Sequence, residues 1–213
     1  MKTFKPCIAI IPAKDFQRGK SRLAGVLKEK IRINLQKWML NNVLESVTNC
    51  DLIDNTVVIS DSIDVLNIAS QFNTETINSN SHDLNIDLGK GIEWAKKGNA
   101  KSILIIPSDL PLIEKDSVTK IIEKGIKLSS VVITPSSDGG TNSLFFLSKK
   151  IPKLSFGENS FEKHWEGYVK KKIDIVSYEN ESLSFDLDTP DNLKKLIEHK
   201  HDLFKLLTLE DRL

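Results

Sequence analysis

The sequence has few of the residues that build disulfide frameworks and cysteine metal sites. Its 213 residues include two cysteines and four histidines. Cys7 lies in an apolar run and Cys50 ends a helical pattern, so both are predicted to fill the core. The sequence therefore predicts neither a disulfide nor a cysteine-based metal centre.

Long hydrophobic runs and an excess of one charge are also missing. No apolar run approaches the roughly 20 residues of a membrane helix, and the run near the N-terminus is too short for a signal peptide. The formal net charge of +1 gives no general attraction to nucleic acid or acidic membranes, and no basic face carries interleaved aromatics. We therefore expect a cytoplasmic protein that binds neither a membrane nor nucleic acid, and any anion site has to be built locally.

What is present is an alternation of short apolar runs and amphipathic segments, with no repeat or linker. This pattern predicts one α/β domain over 1–213, with a mainly parallel central sheet flanked by helices. Predicted strands are 7–11, 56–60, 75–77, 102–107, 131–134, 143–147, 173–176 and 184–188. Predicted helices are 29–50, 65–72, one starting near Leu84 and running through Trp94, 115–128, 161–171 and 191–200, with Ser160 and Thr189 as caps of the last two. A short tail helix is predicted over 201–213, and the pattern does not define where it docks.

A basic loop follows the first strand, which Pro12 ends because proline has no N–H for a sheet ladder. Four cations fall within nine positions: Lys14, Arg18, Lys20 and Arg22. Gly19-Lys20-Ser21 resembles the end of a Walker A loop, but Lys14 stands where that motif has its first glycine. Cations and backbone N–H groups at the carboxyl end of a first strand suit phosphate; the alternative is a solvated basic loop.

Three carboxylates far along the chain supply the opposite charge. Asp109 ends the predicted central strand, and Asp186 and Asp188 lie two apart in a predicted extended segment, on the same face. Strand ends of a parallel sheet meet at one edge, so the three side chains are expected to converge. Oxygen ligands without histidine or cysteine suit Mg²⁺. The alternative is that Asp186 and Asp188 are a cap and a surface charge before the last helix.

Together, a cationic loop and a carboxylate metal site are what metal-assisted nucleotidyl transfer needs. Lys14, Lys20 and Arg22 would offset triphosphate charge, and with Asp109 they are the predicted catalytic residues. The acceptor would be an anion, so no histidine or cysteine nucleophile is required.

Six motifs in order make the chain similar to the 2-phospho-L-lactate guanylyltransferases, over roughly residues 8–196. The motifs are Pro12-Ala13-Lys14 with Lys20-Ser21-Arg22-Leu23, Leu84-Asn85, Pro107-Ser108-Asp109-Leu110-Pro111, Gly139-Gly140-Thr141-Asn142, Phe156-Gly157 with Ser160-Phe161 and His164, and Asp186-Leu187-Asp188-Thr189-Pro190. In one position the chain departs from the family, since Asp83 stands where glycine usually precedes Leu84-Asn85. The glycine-rich first loop of the molybdenum-cofactor guanylyltransferases, which share the fold, is absent.

The resemblance implies a Rossmann-like, glycosyltransferase-A-type nucleotidyltransferase that forms a homodimer in coenzyme F(420) biosynthesis, with a downstream lactyl-transferase as a possible partner. It implies GTP as co-substrate and a phosphorylated three-carbon acid as acceptor: 2-phospho-L-lactate, phosphoenolpyruvate or 3-phosphoglycerate. It assigns Mg²⁺ to Asp109, Asp186 and Asp188, and the acceptor to Thr141, Gly157 and Ser160. Nucleotide-binding positions are Pro12, Ala13, Lys14, Lys20, Ser21, Arg22 and Asn85.

Two other functions stay open on the sequence. One is a nucleotidyltransferase with a different acceptor, such as a sugar phosphate. The other is a non-catalytic nucleotide-binding protein, which would be expected to lose the metal ligands or the cations.

Overall fold

The computed structural model describes residues 4–151 and 153–200, which are built around one seven-stranded sheet. The strands are β1 (Cys7–Pro12), β2 (Asn55–Ser60), β3 (Glu75–Asn78), β4 (Ser102–Ile105), β5 (Val131–Pro135), β6 (Thr141–Leu147) and β7 (Ile175–Ser177). The helices are α1 (Glu29–Thr48), α2 (Ile63–Ser70), α3 (Leu84–Lys97), α4 (Lys115–Leu128), α5 (Ser160–Lys170), α6 (Glu181–Ser184) and α7 (Pro190–His199). One-turn 3₁₀ helices span Ser21–Leu23 and Ser148–Lys150.

The strand order is β3-β2-β1-β4-β6-β5-β7, and only β6 runs antiparallel to its neighbours within this sheet. The prediction of a mainly parallel sheet is therefore confirmed. Parallel strands joined by helical crossovers leave both faces of the sheet to be covered by helices.

The strand sequences are continuously apolar because side chains on both faces of the sheet are buried. Alternate side chains of β1 point to opposite sides. Cys7, Ala9 and Ile11 pack in a cluster with residues of α1, α2 and α4. Ile8 and Ile10 pack on the other side with residues of α3 and α5. The two cysteines are buried and free, as expected for core residues.

Two local predictions near the site are wrong. The segment predicted as strand 184–188 instead contains the end of α6, because the Asn180 side chain accepts a hydrogen bond from Leu183 N–H and so caps a helical turn. Residues 185–188 then run without a ladder partner. Ser160 is the first residue of α5 rather than its cap, since Asn159 takes the N-cap position with a left-handed φ of 52°.

The predicted cap of the last helix is confirmed. The Thr189 hydroxyl accepts from Asn192 N–H at 3.2 Å, and Pro190 occupies the first turn. The predicted tail helix over 201–213 lies outside the described residues. Within 4–151 and 153–200, no helix has the length and apolar character needed to cross a bilayer.

Close packing of helix against sheet gives a first prediction, at Gly125 of α4. A β-carbon there would lie 2.2 Å from Cδ1 of the buried Phe145 ring. We expect Gly125→Ala to lower the free energy of unfolding by about 1–2 kcal/mol, because overpacking outweighs the gain in helix propensity. Urea unfolding measures this as a lower midpoint.

The matched control is Gly89→Ala in α3, where an added β-carbon meets nothing within 4 Å. The same substitution there is expected to be neutral or to stabilise by up to about 1 kcal/mol. Equal effects of the two substitutions would contradict the packing argument.

Candidate active site

The basic loop leaves β1 at the carboxyl edge of the sheet and folds into a compact turn. Ala13 N–H donates to Ile59 O at 2.9 Å, so the chain stays paired with β2 one residue past Pro12. The Asp15 carboxylate accepts from Gln17 N–H at 2.8 Å, and the carbonyl of Asp15 accepts from Gly19 N–H at 3.0 Å. The turn brings the chain back toward the sheet edge.

A buried glutamine on α1 holds this turn in place. Gln36 Nε2 donates to Phe16 O at 2.7 Å, and the Gln36 side chain lies so close to Gly19 that a β-carbon there would be 1.7 Å from Oε1. A β-carbon at position 19 would therefore force the hydrogen-bonded Gln36 side chain to move. The next residue, Lys20, has a left-handed φ of 53° and begins the 3₁₀ turn at Ser21.

The Lys20 ammonium group contacts two carboxylates from distant parts of the chain. Its Nζ lies 2.6 Å from Asp109 Oδ2 and 2.6 Å from Asp188 Oδ1, and only 6% of the lysine side chain is exposed. Burial acts to lower the Lys20 pKa, but the negative charges of Asp109 and Asp188 outweigh it and raise the pKa. Lys20 is therefore a charged, buried cation between two anions.

The segment that carries Asp188 is fixed by a leucine between two aspartates. Leu187 is fully buried in a cluster that includes Leu23 and Met39, and its N–H donates to Asp109 O at 3.4 Å. Packing of one apolar side chain thus sets where Asp186 and Asp188 lie.

Asp186 is the third member of the acidic group. Its Oδ1 is buried with no hydrogen-bond partner. Burial, followed by the negative charges of Asp109 and Asp188, raises its pKa to about 6. A buried carboxylate oxygen without a partner is costly, so this atom is suited to accept a cation or a proton.

Lys20, Asp109 and Asp188 face an open cleft of about 640 Å³, whereas Asp186 lies outside the described lining of this cleft. Of the predicted site residues, the cleft is lined by Pro12, Ala13, Lys14, Lys20, Ser21, Arg22, Asp109 and Asp188. Its wall also contains Arg18 and Asp61, which form an ion pair, and His82, whose Nδ1 lies 3.4 Å from Asp61 Oδ2. The basic loop, the end of β4 and the Asp188 segment therefore share one cleft.

The predicted acceptor residues lie outside the described lining of this cleft. Thr141 begins β6, Ser160 begins α5, and Gly157 lies in the loop before α5. Ser160 N–H donates to Gly157 O at 3.1 Å, and Phe161 N–H donates to Gly139 O at 3.3 Å, so the start of α5 rests against the loop that leads to Thr141. Gly157 has a φ of +124°, which favours glycine. Ser160 is 1% exposed.

Asn85, a predicted nucleotide-binding residue, is tied to the loop of Gly157 instead of lining the cleft. Its Nδ2 donates to Phe156 O at 3.1 Å, and its Oδ1 accepts from Phe156 N–H at 2.8 Å. Asp83, which replaces the usual glycine, caps α3 by accepting from Asn85 N–H and Ile86 N–H.

His164 connects two segments that carry predicted acceptor residues. Its Nε2 accepts from Ser155 N–H at 3.0 Å, and its Nδ1 lies 3.0 Å from Thr141 Oγ1. The ring is 2% exposed, and burial lowers its pKa to about 4. The imidazole is therefore neutral near pH 7, and since Nε2 accepts, Nδ1 carries the hydrogen and donates to Thr141.

The described residues contain no preformed set of metal ligands. Among residues 4–151 and 153–200, no three His, Cys, Asp or Glu side chains are already spaced to hold an ion. Asp109 and Asp188 share the Lys20 ammonium instead.

Sequence reasoning missed two parts of the site. Gln36 was not singled out, although a polar residue four positions before Leu40 lies on the apolar face of α1 and so signals a buried hydrogen bond. The second part is the ion pair between Arg18 and Asp61 with His82 beside it, which no sequence signal reveals.

The fold is similar to those of solved proteins described as nucleotide transferases. It matches a Desulfovibrio desulfuricans G20 protein described as a nucleotide-diphospho-sugar transferase, with a TM-score of 0.78, 14% identity and coverage of 97% of this chain and 96% of that one. A Methanothermobacter nucleotidyl transferase matches with a TM-score of 0.66, 13% identity and coverage of 92% and 97%. The predicted nucleotidyltransferase fold is confirmed.

The family follows from sequence similarity. Residues 7–206 match the family described as Guanylyl transferase CofC like. A 2-phospho-L-lactate guanylyltransferase of Methanobrevibacter smithii is 32% identical over 191 residues, covering 89% of this chain and 83% of the relative. A phosphoenolpyruvate guanylyltransferase of Rubrobacter xylanophilus is 30% identical over 189 residues, covering 88% and 92%. The chain belongs to the CofC-like guanylyl transferase family.

The burial of His164 gives a pH prediction. Its folded pKa of about 4 lies below the ordinary value of 6.5, so the unfolded chain binds more protons between these values. The contribution of neutral His164 to the free energy of unfolding is therefore fully present above pH 6.5, and it is lost as the pH falls toward 4. We expect wild type to lose about 1–3 kcal/mol more stability across this range than His164→Gln.

Denaturant unfolding at several pH values measures this difference. Parallel stability curves for wild type and His164→Gln would refute the assignment of a neutral buried imidazole.

Proposed function

We propose that this protein transfers GMP from GTP to the phosphate of 2-phospho-L-lactate, or of phosphoenolpyruvate or 3-phosphoglycerate, and releases pyrophosphate in coenzyme F(420) biosynthesis. The observation that carries the proposal is the meeting of Asp109, Asp188 and Lys20 beside the basic loop, in a member of a guanylyl transferase family. The names of the relatives supply the two leading acceptors.

The reaction is an in-line displacement at the α-phosphorus of GTP. An oxygen of the acceptor phosphate forms the new P–O bond, the bond between the α-phosphorus and the bridging oxygen breaks, and its electron pair leaves with pyrophosphate. A phosphate monoester has its second pKa near about 6, so the nucleophile is already deprotonated at neutral pH. No general base is required.

The chain supplies positive charge where the triphosphate would lie. Lys14 and Arg22 are exposed in the cleft wall, and Lys20 is buried at its floor beside Asp109. Cations fixed in place before the reaction stabilise developing charge without reorganisation. Thr141, Gly157 and Ser160 would hold the acceptor's phosphate or carboxylate.

The acidic residues fit a magnesium ion. Asp109, Asp186 and Asp188 are oxygen donors of the kind Mg²⁺ prefers, and Asp186 Oδ1 is buried without a partner. In the structure, the Lys20 ammonium already provides a positive charge that pairs with Asp109 and Asp188. When bound, Mg²⁺ would neutralise charge at phosphorus and on the leaving pyrophosphate.

The homodimer, the lactyl-transferase partner and the cytoplasmic location stay predictions.

The acceptor is tested directly by product mass. The protein is incubated with GTP, Mg²⁺ and one acid at a time: 2-phospho-L-lactate, phosphoenolpyruvate, 3-phosphoglycerate, or a sugar phosphate as comparison. We expect a guanosine diphosphate adduct and stoichiometric pyrophosphate with at least one three-carbon acid. Tight GTP binding without turnover of any acid would instead favour a nucleotide-binding protein, and turnover of the sugar phosphate alone would favour the other transferase.

Loss of a single carboxylate tests the metal assignment. We expect Asp188→Asn to reduce pyrophosphate release at least about 100-fold, since removing one fixed charge partner in a catalytic site commonly costs this much. Asp191→Asn, the same change at an exposed position three residues later, should stay within about twofold of wild type. Near-wild-type activity of Asp188→Asn at saturating Mg²⁺ would contradict the assignment.

A further inference from the structure

We propose that His164 is a positioning residue that aims the Thr141 hydroxyl hydrogen at the acceptor and fixes the Ser155–Gly157 segment beside it. The inference deepens the function proposed above and rests on it. It starts from one buried ring with two different hydrogen bonds, each to a different wall of the acceptor region.

The direction of each hydrogen bond follows from what each partner can do. Ser155 N–H is a donor only, so His164 Nε2 must accept at 3.0 Å. A neutral imidazole with an accepting Nε2 carries its hydrogen on Nδ1, which then donates to Thr141 Oγ1 at 3.0 Å. The Thr141 hydroxyl hydrogen is not used in this contact, so it remains available to donate to an anion.

The surroundings keep the imidazole in this form. The Phe156 ring packs edge-on against His164, with centroids 4.8 Å apart. The Phe156 backbone makes two hydrogen bonds with the Asn85 amide, one accepted by its carbonyl and one donated by its N–H. His164 is 2% exposed, so water cannot compete for either nitrogen. A charged ring would donate at both nitrogens and would lose the bond from Ser155.

The loop needs this support because it has little regular structure of its own. Gly157 has a φ of +124°, and residues 153–156 form no helix or strand. Side chains from α3 and α5 therefore hold the backbone that carries Gly157: Asn85 from one side and His164 from the other. Thr141, at the start of β6, is fixed to the same ring.

Two amide substitutions separate the two hydrogen bonds. His164→Asn can place an N–H near the Nδ1 position and keep the donor to Thr141, whereas His164→Gln can place an oxygen near Nε2 and keep the acceptor for Ser155. His164→Leu removes both. Each lost neutral hydrogen bond is expected to raise the KM for the acceptor about 3- to 10-fold, with the KM for GTP within about twofold of wild type.

Thr141 completes the test. Thr141→Val removes the hydroxyl and should raise the KM for the acceptor at least as much as His164→Gln. If His164 acts through Thr141, the double variant His164→Gln/Thr141→Val should be no worse than Thr141→Val alone. The proposal would be overturned if the effects of His164→Gln and Thr141→Val on the KM for the acceptor were fully additive. It would also be overturned if the KM for GTP changed as much as the KM for the acceptor, or if His164→Leu left the KM for the acceptor unchanged. His199→Gln is the control and should keep both constants.

A spectroscopic readout separates this proposal from the proposed function. In ¹⁵N-labelled protein at pH 7, His164 should show a protonated Nδ1 and an unprotonated Nε2, and titration with phosphoenolpyruvate should shift the Nδ1–H signal in wild type but not in Thr141→Val. An Nε2–H tautomer, a charged ring or no shift would overturn the positioning role even with an active enzyme. Failure of the proposed function is a different result: no acid is turned over, whatever the state of His164.

Discussion

The ammonium group of Lys20 lies between carboxylates that come from the middle and the end of the chain, and the geometry of the cleft depends on it. Without that cation, Asp109 and Asp188 would face each other beside Asp186 with like charges. Removing the cation would leave both carboxylates without their partner, although water moderates this cost because 31% of the Asp109 side chain and 39% of the Asp188 side chain are exposed. The residues around Lys20 serve to place this buried lysine between the two carboxylates.

Three unrelated local features serve that placement. Gly19 allows the turn to pass against Gln36, and the left-handed backbone at Lys20 directs the chain inward. On the other side, Leu187 is buried against the first turn and α1, which brings Asp188 to the ammonium. Apolar packing therefore sets the position of the acidic segment, and the charges are then satisfied locally. This explains how a chain with a net charge of +1 builds a strongly charged site.

The sequence predicted what depends on local periodicity and failed where tertiary contacts decide. Apolar runs such as Cys7–Ile11 could only be buried strands with helices on both faces, and that is what forms. The segment around Leu187 has the same alternating pattern as a strand, yet residues 185–188 form no strand and Leu187 N–H makes a single backbone bond, to Asp109 O. Strand pairing depends on the neighbouring chain and is not visible in one segment. Likewise, Asn85 lies in a family motif, but only the structure shows its amide bound to Phe156.

The two ends of the site are therefore held by different means. The proposed nucleotide end follows the carboxyl ends of β1 and β4, so strand pairing in the sheet sets where the basic loop and the loop of Asp109 begin. Of the proposed acceptor residues, Thr141 begins β6 and Ser160 begins α5. The loops beside them, one of which carries Gly157, are held by Asn85, His164 and the start of α5. We expect a substitution in those loops to alter the fit of the acid without disturbing the sheet. A substitution at the proposed nucleotide end is expected to disturb packing in the core as well. Selectivity among three-carbon acids is thus expected to depend on the side chains that support the loops as well as on those that touch the acid.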